Sequence, residues 1–236
     1  SFYQRLLAMD QVEAIEILKK FLKDHEHEQV YDELLLPALS YAKEDRRRNN
    51  LNDHEELFLL QALREIIEIA GADLQRSELP ENGPTASVNS DPLPWIKIIG
   101  CPAHGEADEV ALLMLRQLLV SRNCSMEVLS STALAAEVIV RVREDNPALV
   151  CIAAVAPDGL VQMRYLSKRL RASFPDLRLV IGRWGLREFE ENGGSQPEDL
   201  GEVGLTLLQT RDQITNLRQL ISDVEPKTRT ELLPAT

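Results

Sequence analysis

Between residues 95 and 222, short apolar runs alternate with amphipathic helical runs, strand then helix, five times over. Strands joined through helices lie parallel, because a tight hairpin cannot make that connection. Trp95-Ile96-Lys97-Ile98-Ile99-Gly100 reads as the first strand. A helix over about Glu106–Ser121 follows, with Val110, Ala111, Met114, Leu115, Leu118 and Leu119 on one stripe. Met126–Leu129 and Leu134–Arg143 give the second strand and helix. Ala148–Val155 is apolar throughout, which suits a strand covered on both faces. A helix over about Leu160–Ser173, strands over Leu177–Gly182 and Val203–Leu208, and a closing helix over Ile214–Ile221 complete the series. Gly193, Gly194, Ser195 and Pro197 mark a loop between the last two strands.

The first 76 residues carry a helical period instead. Val12, Ile15, Leu18, Phe21 and Leu22 recur every three to four positions, with Glu13, Glu16, Lys19, Lys20 and Lys23 opposite. His25-Glu26-His27-Glu28 interrupts the pattern as a turn. Val30–Leu39 reads as a buried helix in which Pro37, lacking an amide hydrogen, starts or kinks the helix. Asn49–Asn52 form a loop, and Asn52 or Asp53 caps a long helix striped by Leu57, Leu60, Leu63, Ile66 and Ile67. Gln75–Pro94 is rich in proline, glycine, serine and asparagine and reads as a linker.

The expected organisation is a helical bundle (1–76), a flexible linker (77–94), an α/β domain (95–224) and a tail (225–236) that frays from Pro226. The fold class is α and α/β: an N-terminal antiparallel helical bundle, then a five-stranded parallel sheet of flavodoxin-like, Rossmann-type order.

Lys and Arg number 26 against 38 Asp and Glu, a formal net charge of −12. That sign argues against nucleic acid as a partner, since phosphates require clustered cations. Arg46-Arg47-Arg48 adjoins Glu44-Asp45 and reads as a solvated helix end, where cations complement the macrodipole. Cys101, Cys124 and Cys151 form no CxxC pair, and a sparse odd set fits the reducing cytoplasm. No signal peptide or apolar run of about 20 residues stands out. The opening Phe2-Tyr3-Gln4-Arg5-Leu6-Leu7 starts abruptly in a helix, as though cut from a longer chain.

Parallel sheets hold ligands at the carboxyl ends of their strands. Here those ends carry Cys101-Pro102-Ala103-His104-Gly105, Ala153-Ala154 with Pro157, and Gly182-Arg183-Trp184. No Gly-x-Gly-x-x-Gly, P-loop or Gly-x-Ser-x-Gly is present. Cys101 and His104 form either the thiol–imidazole pair of a small-molecule enzyme or a chance neighbour pair. His25 with His27 is a metal pair or a solvated loop. Glu106, Asp108 and Glu109 hold a cation or complement a helix dipole. Arg183 and Trp184 seat an anionic or planar ligand, or pack over an emptied pocket.

Leu6-Leu7-Ala8-Met9-Asp10 with Ala14, and Val30-Tyr31-Asp32-Glu33-Leu34-Leu35-Leu36-Pro37-Ala38-Leu39, joined to such a sheet, resemble the cobalamin-binding module of corrinoid methyltransferases and cobalamin-dependent light regulators. Val150-Cys151-Ile152, the Tyr165–Arg171 helix and Leu179-Val180-Ile181-Gly182 extend the resemblance over nearly the whole chain. That family's Asp-x-His-x-x-Gly loop supplies an imidazole to cobalt and an Asp to orient it. At the equivalent spacing this chain has Asp108, Val110 and Leu113. The family's serine after the third strand is Ala153 or Ala154, and its Gly-Gly after the fourth is Gly182-Arg183.

More narrowly, Tyr3–Ala8, Val30–Leu39, Tyr165–Arg171 and Phe174-Pro175-Asp176 resemble the C-terminal region of bacterial membrane permeases of the autoinducer-2 exporter family. The resemblance implies a non-enzymatic cytoplasmic sensor or interaction domain with no cofactor, attached to a membrane-embedded part of the same polypeptide. It implies a small-molecule ligand in a cleft between cap and sheet, lined by His104, Gly105, Asp108, Ala153, Pro157, Arg183 and Trp184. The linker would let the two parts open and close, and leftover helix faces suit a homodimer.

Overall fold

The computed structural model describes residues 1–77, 95–185, 200 and 202–230, with the backbone alone for 222–230. The linker from residue 78 to 94 and the Gly193–Pro197 loop fall outside the described residues.

Helix α1 (Phe2–Leu7) starts at a Ser1–Gln4 capping box. Helix α2 (Gln11–Asp24) starts where the Asp10 carboxylate accepts from the Glu13 amide at 3.0 Å. The chain leaves it extended at His25, as the broken pattern predicts. Tyr31–Leu35 then form a π-helical turn that runs directly into α3 (Leu36–Arg47), with Pro37 in its first turn. A proline there deletes one amide donor, so the ladder widens without orphaning a hydrogen. Asn52 and Glu55 cap α4 (Asp53–Ser77) reciprocally, at 3.0 and 2.9 Å. Gln75, Arg76 and Ser77 belong to that helix and not to the linker. The buried stripe of α4 includes Leu59, Leu60, Leu63, Ile66 and Ile67, whereas Leu57 is exposed. The sequence is apolar at every position from 57 to 60, and packing rather than period selects among them.

The sheet strands are β1 (Ile96–Pro102), β2 (Cys124–Val128), β3 (Leu149–Val155), β4 (Leu179–Trp184) and β5 (Val203–Gly204). All pairs are parallel, in the order β2-β1-β3-β4-β5, with Ile98 beside Leu149 and Cys151 beside Val180. This is the flavodoxin-like order the alternation predicts. The connecting helices are α5 (Glu106–Val120), α6 (Ala135–Asp145), α7 (Leu160–Ser173) and α8 (Leu207–Thr230). The fifth strand is two residues long rather than six, because the helix begins at Leu207 and not at Ile214. That helix continues through Pro226 to Thr230, where a frayed tail was expected.

The two faces of the sheet bury different neighbours. Ile98, Cys151, Ala153, Val155, Val180 and Trp184 share one apolar body with α5, α8 and the helical cap. Ile99, Cys101, Val150, Ile152, Ala154 and Ile181 pack with α6 and α7. Alternate residues of one strand thus serve two cores. The cap is part of the first. Its helix α4 meets α5 closely at Gly71, where a Cβ would overlap the Gln117 side chain.

Candidate functional site

The densest polar construction lies between the cap and the carboxyl ends of β1 and β3. Gly105, at φ 85°, turns the chain from β1 into α5 and places Asp108 in the first turn of that helix. The wholly buried Asp108 carboxylate accepts three hydrogen bonds: from the His104 amide at 2.7 Å, the Val155 amide at 2.9 Å and Lys43 Nζ at 2.9 Å. Lys43 also donates to the Val155 carbonyl at 2.8 Å. Burial is the largest influence on the Asp108 carboxyl and raises its pKa. The Lys43 charge, its hydrogen bond and the two amides pull the other way.

Lys43 is the functional-looking residue that the sequence reading passed over. It continues the buried stripe of α3 through Leu36, Leu39 and Ser40, a place where a charge needs a partner. Asp32 is a second such residue. The π-helical turn aims its carboxylate at the start of α8, where it accepts from the Leu207 and Leu208 amides at 2.8 and 3.0 Å. Glu28 joins the cap to Arg122 at 3.2 Å and to Arg211, and Arg64 reaches Glu109 at 3.1 Å.

The seven residues expected to line a cleft part company here. His104 and Gly105 are exposed and Pro157 is half-buried. Asp108, Ala153, Arg183 and Trp184 are buried and already engaged. Arg183 donates to the backbone carbonyls of Pro157, at 2.7 Å, and Asp158. Its guanidinium therefore clamps the turn after β3 rather than facing a ligand, and burial lowers its pKa. Trp184 lies wholly inside the core and donates from Nε1 to Thr210 Oγ1 at 2.9 Å. Its indole fills the space over Gly182, where a Cβ would sit 2.5 Å from Cζ2. Gly182 thus makes room for the chain's own tryptophan, which matches the second of the two alternatives for Trp184, packing in place of a ligand.

The proposed thiol–imidazole pair is also separated. Cys101 is buried among the α6 and α7 contacts, and burial drives its thiol pKa far up, while His104 is exposed. A protonated, enclosed thiol is no nucleophile. His25 stacks on Phe21, with ring centroids 4.1 Å apart. Among the described residues no three His, Cys, Asp or Glu side chains group as a metal site. Arg46 pairs with Asp53 and Glu56, and Arg47 and Arg48 with Glu44, so the basic run closes α3 as expected.

No protein-family model matches the chain, and no curated protein matches it. Solved structures do. The monomethylamine corrinoid protein of Methanosarcina barkeri is similar over 92% of this chain and 96% of its own, at 10% identity and a TM-score of 0.58. A cobalamin-binding protein from Desulfitobacterium hafniense DCB-2 gives 15% identity, the same two coverages and a TM-score of 0.43. The class defined is structural: a helical cap joined to a flavodoxin-like parallel sheet, the fold of cobalamin-binding proteins. Val110, on α5, is wholly buried in the core.

Proposed function

We propose that this chain is a non-enzymatic regulatory or interaction domain, built on a cobalamin-binding scaffold that has given up its metal-ligating histidine. The observation that carries the reading is the filling of the carboxyl edge by Lys43, Asp108, Arg183 and Trp184. Those residues do not fit a histidine-held corrin. The equivalent of the ligand is the core residue Val110, and the segment bearing it is helical from Glu106. The glycine that would admit a nucleotide tail is covered by an indole.

On this reading the domain serves as the cytoplasmic C-terminal region of a permease of the autoinducer-2 exporter kind. The support is the resemblance of Tyr3–Ala8, Val30–Leu39, Tyr165–Arg171 and Phe174-Pro175-Asp176. No helix among the described residues is long and apolar enough to cross a membrane, so the membrane part of the proposal is a separate segment of the polypeptide. The outer face of α7, with exposed Val161, Tyr165, Lys168 and Arg169, is available to such a partner or to a second copy.

The rival reading is a corrinoid binder that coordinates without a protein histidine, and the shared fold favours it. Absorbance after mixing with hydroxocobalamin or adenosylcobalamin, followed by gel filtration, separates the two. The proposal expects a colourless protein fraction, and a retained corrin spectrum would establish the rival.

A further inference from the structure

Asp108 is held before Lys43 is considered. The His104 amide fixes one carboxylate oxygen and the Val155 amide the other, and both donors belong to the sheet domain. The Val155 carbonyl faces the same point. The sheet alone therefore presents a buried carboxylate and a backbone acceptor converging on one small space, which is what a primary ammonium group requires. The occupant arrives from the other side of the seam. Lys43 stands 65 residues before Asp108, on α3 of the cap, and its ammonium bonds both acceptors at 2.9 and 2.8 Å.

We infer that the carboxyl edge of this sheet is a preformed alkylammonium receptor, occupied in cis by Lys43, and that this occupancy latches the cap to the sheet. The place where the fold would take a diffusible ligand holds a side chain of the same polypeptide. Of the other charged links across the seam, Glu28–Arg211 is also largely enclosed, though neither partner is wholly buried. Arg64–Glu109 and Arg116–Glu68 are partly or largely exposed, where water screens the attraction. The Lys43–Asp108 pair is shielded, and removing one partner strands the other in the interior. The inference does not depend on the regulatory proposal, since it concerns an ammonium group and not a corrin.

Chemical rescue tests it. Lys43→Ala deletes three methylenes and the ammonium, leaving a space shaped for n-propylammonium. The variant is expected to lose about 10 °C in melting temperature. n-Propylammonium chloride should restore roughly half of that loss, while 1-propanol and sodium chloride at matched concentration should restore none. The parent protein should not respond to the amine. A melting temperature unchanged by the substitution, or equal rescue by amine and alcohol, overturns the inference. Should Lys43→Ala not fold, Lys43→Met and Asp108→Asn keep the shape and remove the charges. Each alone should lower the melting temperature, and the double variant should lose clearly less than the sum of the two. Strictly additive losses contradict the receptor.

Discussion

Beyond the carboxyl ends of β3 and β4, Lys43, Asp108, Arg183 and Trp184 occupy the space with their own hydrogen bonds. The amino ends of β1, β3 and β4 instead border a cavity of about 780 Å³, with Trp95, Arg143, Asn146, Phe174 and Arg178 in its walls. Doubly wound sheets take ligands at the first of these ends, yet here the first is filled and the second open. The difference lies in what each end is asked to bury. At the carboxyl end the cap closes over strand termini and must satisfy every polar group it covers. At the amino end α6 and α7 finish at Asp145 and Ser173, and a helix C-terminus carries partial negative charge. Arg143 in the last turn of α6 suits that negative end, with its guanidinium 5.9 Å from the centre of the Phe174 ring. Volume alone therefore does not locate the meaningful site in this protein.

The largest test of the comparison is Trp184→Ala. It empties the space over Gly182 and removes the donor that Thr210 Oγ1 accepts from, and should cost about 4 kcal/mol in urea denaturation. Trp95→Ala at the open end provides the matching control at the small end of the scale, described below.

Alkaline pH probes the same axis. Cys124 begins β2 at the amino end and burial raises its thiol to about 11. Cys151 in mid-β3 is raised to about 12, and Cys101 near the carboxyl end of β1 higher still. Each folded thiol thus holds its proton above the pH at which the unfolded thiol ionises, near 8.5. Their contribution is complete below that value and is lost as pH rises toward the folded pKa values. Stability should fall by about 6 kcal/mol between pH 7 and pH 10 from these groups together. Pulsed alkylation with mass spectrometry should label Cys124 first and Cys101 last.

A smaller effect is expected at the seam. Gly185 has φ 81°, and a Cβ there would overlap Ser40 Oγ of the cap. Gly185→Ala should cost about 2 kcal/mol, combining backbone strain and the clash. Ser40 Oγ is buried with no hydrogen-bond partner. Ser40→Ala should therefore be neutral or slightly stabilising, and should recover part of the Gly185→Ala loss. Trp95 is 60% exposed. Trp95→Ala should change stability by less than about 0.5 kcal/mol while removing the component of the fluorescence that iodide quenches.

Much of this architecture is legible in the sequence. The α5 stripe from Val110 to Leu119 is buried residue for residue, α7 keeps its expected bounds, and the uniformly apolar β3 is central. These succeed because periodicity reports burial directly. Elements governed by local competition shift instead. β5 is short because Thr206 and Asp32 start α8 early, and Asp32 acts from 175 residues away. The site was legible only in its chemistry classes. Asp108 stood out by spacing, yet its partner Lys43 could be found only as a cation on an apolar stripe, and its target is set by tertiary packing. Arg183 and Trp184 looked like ligand seats because side-chain type does not disclose which way β4 turns them.

The central claim is that the carboxyl edge is closed by the chain's own side chains. Amide hydrogen exchange at Val155 and His104, measured by NMR with and without excess hydroxocobalamin, tests it most directly. Both amides donate to buried Asp108, so the account predicts exchange slowed to the rate of the central strands and unchanged by the corrinoid. Rapid exchange at either amide, or a change in protection on adding hydroxocobalamin, would contradict it.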